Sequence, residues 1–241
     1  NAMVREMQPG VLINGRNGLP GDFGTPEGHV SAPVPWRPWE ACMTLNEHWG
    51  YHVGDQEWKS PSAVVALLAA VAQGRGNLLL NIGPRGDGSI PEPSIAIIEA
   101  VGRWLQTHAE AIVETDLFTY GLRDRTGHQG EWMGSGALTR KGRSLYYLIR
   151  HWPGPEVVVA GLNTRVEDVV LLRQGGAAPC RFTQDDDRVT VTGLPVSPPD
   201  PVCTVLRFDC REVPEIRLGG GMRIPGVPHP PYDPCPSDIV Q

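Results

Sequence analysis

The feature that most constrains this chain is a change of rhythm near residue 113. Before it, short apolar runs closed by glycine alternate with helix-length segments. "GVLING" (10–15), "ACMTLN" (41–46) and "NLLLNIG" (77–83) have the length and apolar density of buried parallel strands. Between the second and third lies "SPSAVVALLAAVAQG", with Ser60 as helix cap, Pro61 at the first helical position and Gly74 as the stop. A further helix is expected from Pro91 to Ala109, with Ile95, Ile98, Val101, Gly102 and Leu105 near one face.

After residue 113 the runs shorten and become β-rich: "RSLYYLIRHW", "EVVVAGL", "VEDVVLLR", "DRVTVTGL" and "PVCTVLRFD", separated by Gly, Pro, Asn and Asp. Such spacing predicts an antiparallel sandwich. The chain therefore divides into βα units over 1–112, a β-sandwich over 113–210 and a Pro/Gly-rich tail over 211–241. Three βα units are too few to close a barrel of eight. The βα segment leading straight into a β-sandwich reads as the last part of a larger catalytic domain with its trailing module.

The net charge of −6, with no long basic run, gives no footprint for nucleic acid. No apolar stretch reaches the roughly 18 to 20 residues of a membrane span. No secretory-type leader is legible, and extracellular and cytoplasmic locations both fit. Five cysteines without a C-x-x-C pair argue against a zinc ribbon and leave any disulfide pairing open.

Reactive groups in βα architectures sit on the loops after strand ends. The loop after "GVLING" runs from 15 to 40 and carries Arg16, Asp22, Glu27, His29, Trp36, Trp39 and Glu40. Tryptophan beside carboxylate suits a sugar, whose apolar face stacks on a ring while an acid reaches the glycosidic oxygen. Composition alone favours the plainer reading, in which Glu27 and Glu40 are both solvated loop charges.

The next loop, "NEHWGYH" (46–52), offers Trp49, as sugar platform or as core, and two histidines. Gly50 between His48 and His52 breaks the helical spacing a metal site would use, so no metal and no cofactor are expected. "NIGPRGDGSI" lacks the Lys-Ser/Thr of a phosphate loop, and no G-x-S-x-G elbow occurs. Trp132, His151 and Trp152 read as core and inter-domain packing.

"VREMQPGVLINGR", "GDFGTPE", "WEACMTLNEHWGY", "KSP", "GNLLLNIGPRGDGSI" and "LTRKGRSLYYLI", in this order, resemble the α-L-fucosidases of glycoside hydrolase family 29. The resemblance runs from about Met3 to Cys210 and implies that residues up to about 112 are the C-terminal strands and helices of a (β/α)8-like barrel, followed by the family's C-terminal antiparallel β-sandwich. It implies retaining hydrolysis of terminal α-L-fucose from fucosylated glycans by an Asp nucleophile and a second carboxyl group, about 5 to 5.5 Å apart. By the same resemblance Glu27 is the acid/base and Glu40 the second choice. Arg16 contacts the site, Trp49 forms a wall, and Trp36 and His29 join the sugar-binding set.

The family's nucleophile lies on a Trp-rich segment that has no counterpart here. Asp22 and Asp55 are the available substitutes, although the family places no nucleophile at either. The resemblance therefore implies a C-terminal portion that is inactive by itself. Its open sheet edges would be met by a second copy or by an upstream barrel fragment. A truncated, non-catalytic glycan-binding or interaction module is the alternative.

Overall fold

The computed structural model describes residues 1–33, 35–118 and 136–216. Trp132 and the tail beyond 216 lie outside the described residues. A short exposed helix, α1 (Ala2–Met7), precedes a βαβ unit made of β1 (Glu40–Thr44), α2 (Pro61–Gln73) and β2 (Asn77–Asn81). The two strands pair in parallel, from Glu40 beside Asn77 to Thr44 beside Asn81, with α2 as the crossover. Helix α3 (Glu92–His108) follows.

Helix α2 starts as its sequence requires: the Ser60 side chain accepts from the Ala63 N–H at 3.1 Å and Pro61 opens the first turn. It also ends where expected, with Gly74 as its C-cap. Gly74 has an ordinary φ of −82°, and the left-handed residue is Arg75, at φ 50°. Arg75 N–H donates to Ala72 at 3.1 Å and Gly76 N–H to Val71 at 2.8 Å, the paired bonds of a Schellman stop.

The buried stripe of α3 is Ser94, Ile97, Val101, Trp104 and His108, not the expected one. Ile95 and Ile98 are each 41% exposed. Backbone carbonyls select the observed face. Ser94 Oγ donates to Ile82 O at 3.3 Å, Trp104 Nε1 to Cys203 O at 2.7 Å, and the His108 ring lies between Trp104 O and Leu172 O. Polar groups that find such partners bury at little cost.

"GVLING" forms no strand. Val11 N–H bonds back to Gln8 O, Ile13 is engaged on both sides by Asp22, and the run's strand-like pairing is limited to a single parallel bridge from Asn14 to Phe23. Apolar content suggested a strand, but a strand exists only where a neighbour takes its hydrogen bonds.

The second half contains β3 (Gly136–Lys141), β4 (Ser144–Ile149), β5 (Glu156–Ala160), β6 (Val166–Leu172), β7 (Ala178–Pro179), β8 (Arg181–Asp185), β9 (Arg188–Thr192) and β10 (Thr204–Cys210). A five-stranded antiparallel sheet, ordered β3-β4-β10-β6-β7, faces a three-stranded one, ordered β5-β9-β8. Between them Leu145, Tyr147, Leu206 and Phe208 meet Val157, Val159, Val189 and Val191. The other face of the larger sheet, with Tyr146, Leu148, Val170 and Val205, packs on Val64 and Val65 of α2 and on Val101 and Trp104 of α3.

This sheet is thus buried on both sides. That explains why "LYYLI" shows no alternation, whereas β5, with one covered face, alternates. Trp152 packs on the inter-sheet core, while His151 is exposed, contrary to its expected packing role.

Cys42, Cys180, Cys203 and Cys210 are free thiols. Burial pushes Cys203 up to about 12 and Cys210 up to about 11. A thiol reagent at pH 8 is therefore expected to leave both unmodified in the folded protein and to label both in denaturant, which peptide mass mapping would read. Labelling of Cys203 in the folded state would contradict the packing of β10 on α3.

Candidate active site

The site begins at a close backbone crossing. A Cβ on Gly21 would fall 2.4 Å from the Asn14 carbonyl carbon and 2.5 Å from Gly15 N, so only glycine lets these stretches of chain pass. Asp22 locks the crossing. Its N–H donates to Ile13 O at 2.7 Å, its carboxylate accepts from Ile13 N–H at 2.8 Å, and Arg5 Nη2 reaches both its oxygens at 2.8 and 2.9 Å. The chain also makes a 3-10 turn, Gly15–Asn17, in which Asn14 Oδ1 accepts from Arg16 N–H at 3.1 Å.

Residues 24–28 return alongside β1 as a parallel ladder. Glu40 N–H donates to Gly24 O, Cys42 N–H to Pro26 O and Gly28 N–H to Cys42 O, each at 2.9 Å. The neighbour of β1 is therefore "GTPEG", whose proline and glycines conceal its strand-like path.

This ladder sets Glu27 beside Cys42 and brings it to Arg16, where Nη1 pairs with Glu27 Oε2. Arg16 Nη2 also reaches Thr25 O at 3.5 Å. Both side chains stay about half exposed, at 49% and 43%, so the pair is open to a ligand. His29 Nδ1 lies 3.0 Å from the Glu27 carbonyl oxygen. Arg16, Glu27 and His29 are thus gathered at one place.

Glu40 is the first residue of β1, paired with Asn77, two positions before Cys42 on the same strand face. Burial pushes the Cys42 thiol up, Glu27 adds to this, Arg16 opposes it, and Glu40 contributes less. Both carboxylates act on one thiol, with Glu40 towards the N-terminal end of the strand.

Trp36 is engaged elsewhere. Its indole N–H donates to Gly74 O at 3.0 Å, Trp39 donates to the same oxygen at 2.8 Å, and the Arg75 guanidinium lies 5.2 Å over the Trp36 ring. Trp49 stands exposed on the loop after β1, its carbonyl accepting from Asn81 Nδ2 at 2.8 Å. On that loop Tyr51 lies under Arg85, with 5.4 Å from guanidinium to ring centre.

Sequence reasoning missed the anchor of this loop. The Asp55 side chain, 2% exposed, accepts from His48 Nδ1 at 2.8 Å and from the N–H groups of Glu47, Glu57 and His48 at 3.0, 3.0 and 3.1 Å. His48 also stacks on His52, ring centres 4.6 Å apart. Among the described residues no group of three or more His, Cys, Asp or Glu could hold a metal. Asp22 and Asp55 are both engaged in holding backbone.

The His48 hydrogen bond holds the Asp55 carboxyl below the usual carboxylate range, helped by Glu57 and Glu47 N–H against the opposing effect of burial. A depressed carboxyl stabilises the fold fully above its unfolded value near 3.8 and loses that contribution as pH falls through the folded value. The loop 46–57 is therefore expected to hold down to about pH 3.8 and to release below it. NMR of the His48 and Trp49 side chains would report this, and release already at pH 5 would show that Asp55 is not the anchor.

The chain has counterparts among known proteins. Residues 1–110 match the family model described as α-L-fucosidase. The α-L-fucosidase of Branchiostoma floridae is 27% identical over 187 residues, 76% of this chain and 39% of that protein. The tissue α-L-fucosidase of Macaca fascicularis is 28% identical over 174 residues, 70% of this chain and 35% of that protein.

Among solved structures, α-L-fucosidase isoenzyme 1 from Paenibacillus thiaminolyticus superposes with a TM-score of 0.72 at 31% identity, covering 88% of this chain and 52% of that one. The Thermotoga maritima α-fucosidase in complex with fucose gives 0.65 at 25% identity, covering 86% and 47%. The chain thus spans less than two fifths of these curated relatives and about half of these solved chains. Family model, curated relatives and solved structures agree in one respect: this chain is α-L-fucosidase-like, in sequence over residues 1–110 and in fold over most of its length.

Proposed function

We propose that the chain supplies the C-terminal part of the catalytic barrel, residues 1–112, and the β-sandwich, 113–210, of a retaining α-L-fucosidase acting on fucosylated glycans. Glu27 is its general acid/base. The observation that carries this reading is the half-exposed Arg16–Glu27 pair on the ladder beside β1. In the first step Glu27 donates its proton to the glycosidic oxygen as a carboxylate nucleophile attacks the anomeric carbon; in the second it takes a proton from the attacking water. Arg16 holds the Glu27 side chain, and Trp49 supplies an apolar wall.

Glu40 is less favoured because it opens β1, whereas chemistry in such folds gathers at strand C-terminal ends. The nucleophile is assigned to no residue here, since Asp22 and Asp55 are held by backbone N–H groups. These 241 residues alone are therefore expected to release no 4-nitrophenol from its α-L-fucoside, while a chain extended upstream to the length of its relatives releases it. Turnover by the short chain would overturn this reading.

A second reading, a non-catalytic glycan-binding module, is favoured by the exposed pair Trp49 and Tyr51 on one loop. Calorimetric titration with fucose and fucosylated oligosaccharides separates the two, since heat without turnover even in the extended chain supports the module. A covering partner, either a second copy or an upstream barrel fragment, would meet the exposed Leu12, Leu79, Ile95 and Ile98. Sedimentation of the short chain as a clean monomer would remove the second copy.

A further inference from the structure

The loop between β1 and α2 is held more firmly than a surface connection needs. Its anchor, the Asp55 carboxylate, is 2% exposed, and a buried carboxylate is costly unless its acceptors are filled. Here the loop itself fills them, through the His48 ring and the N–H groups of Glu47, His48 and Glu57. The segment after β2 adds a second hold. Asn81 Nδ2 donates to Trp49 O at 2.8 Å, and the Arg85 guanidinium, which also donates to Ile90 O at 3.2 Å, lies over the Tyr51 ring. Backbone 49–51 runs directly against Gly83, which sits at φ 54°.

What this frame presents is a set of exposed rings. His48 and His52 stack with centres 4.6 Å apart and planes 13° from parallel, and the His48 side chain is 53% exposed. Tyr51 stays 42% exposed although Arg85 lies over it. Because His48 uses Nδ1 on Asp55, its ring orientation is set, and among the described residues nothing bonds its Nε2. Exposed rings on a preorganised loop suit a sugar, whose C–H face stacks while a hydroxyl bonds the ring nitrogen. Glu47, Asp55 and Glu57 make the loop acidic, so it fits a neutral sugar and repels an anionic one.

Its place in the fold says which sugar. Segment 24–28, β1 and β2 run parallel in that order, and the loop leaves the C-terminal end of β1, the strand against which Glu27 pairs. The two carboxyl groups of a retaining glycosidase flank the scissile bond, and the acid serves the departing oxygen. The sugar beyond that oxygen therefore extends over the elements beside Glu27, among them this loop.

We propose that His48 and Tyr51 form a subsite for the leaving-group sugar, a neutral pyranose, with Asp55 as the positioning residue behind His48. The assignment rests on Glu27 as acid/base, which sets the side on which the leaving group lies. In a chain of its relatives' length that shows turnover, kcat/KM would be compared for an α-L-fucosyl disaccharide and for α-L-fucosyl fluoride, whose leaving atom is too small to reach the loop. His48→Ala is expected to lower kcat/KM about tenfold on the disaccharide and less than about twofold on the fluoride. Asp55→Asn should show the same preference, and adding His48→Ala to it should cost little more, because Asp55 acts through His48. His48→Ala decides the question even where Asp55→Asn releases the loop.

In the 241-residue chain, NMR titration with methyl β-galactoside and methyl N-acetyl-β-glucosaminide is expected to shift the His48 and Tyr51 ring signals with at least one of them. Full turnover in Glu27→Gln would refute the acid/base reading alone, since the ratio measured for His48→Ala still decides the subsite. An equal loss on both substrates, no loss on either, or no ring shift with either glycoside overturns the subsite whatever Glu27 does.

Discussion

Gly76→Ala is expected to destabilise the protein by about 3 kcal/mol or more, an overpacking cost at the high end of the usual range. A Cβ at this position would lie 2.3, 2.4 and 2.7 Å from three ring atoms of Trp39. The ring cannot retreat. It is 2% exposed, packs with Ala41, Leu67, Ala70 and Val71, and donates its N–H to Gly74 O at 2.8 Å.

The backbone has no more freedom than the ring. Gly76 N–H closes the α2 stop on Val71, and Asn77 N–H donates to Trp39 O at 3.0 Å to start the β1–β2 pairing. Any shift that relieves the clash therefore opens the parallel pair on which the 24–28 ladder rests. At roughly 2 to 4 °C per kcal/mol for a chain of this size, the melting temperature should fall by about 6 to 12 °C.

Gly102→Ala is the control. It lies within α3, a Cβ there would meet no atom within 4 Å, and alanine should raise stability by roughly 0.5 to 1 kcal/mol. Equal melting temperatures for Gly76→Ala and the unsubstituted protein would show that Trp39 is free to move.

Much of this architecture is legible in the residues because its signals are local. Ser60-Pro61 marks a helix start wherever it stands before an apolar run, and the strand at "NLLLN" needs only its composition and the glycines beyond. The misreadings have a common cause, which is dependence on a distant partner. "GVLING" has the apolar content of a strand but its hydrogen bonds go to Asp22, while "GTPEG" has the composition of a turn and serves as the ladder beside β1.

Helix α3 is rotated away from its expected face because Cys203 O and Leu172 O, far along the chain, accept from Trp104 and lie at His108. "RFTQD" carries little sign of β8 since only Phe182 reaches the core. Trp36 resembles a sugar platform by its proximity in sequence to carboxylates. In the fold the same indole finishes a helix, a use composition cannot distinguish.

The candidate site shows the same dependence. Arg16 and Glu27 are eleven positions apart, and nothing in the intervening composition requires them to touch. What joins them is the crossing that Gly21 permits and Asp22 ties, together with the ladder that sets Glu27 beside Cys42. Motif resemblance points to both residues without giving this reason.

Under the proposed role, Glu27→Gln is expected to lower kcat/KM on fucosylated oligosaccharides by roughly 10² to 10⁴, the range for loss of a positioned general acid/base. The measurement belongs in a chain of its relatives' length that shows turnover. The amide keeps the size of the side chain and a contact to Arg16, but it can neither donate the proton that a departing sugar hydroxyl needs nor accept one from water. A smaller loss in kcat/KM is expected with the 4-nitrophenyl fucoside, because nitrophenolate departs with little protonation, while the slowed second step lowers kcat.

That difference between leaving groups is the diagnostic, since a merely structural defect would lower both rates alike. Glu40→Gln is expected to cost less than about tenfold on either substrate, because Glu40 lies at the start of β1, opposite Asn77 and away from the Arg16 pair. Arg16→Ala should weaken both substrates together, as it removes the group that holds Glu27 rather than the proton itself. If Glu40→Gln instead carries the leaving-group dependence, the acid/base is Glu40, and the Arg16–Glu27 pair is a brace for the loop that Gly21 and Asp22 have already folded.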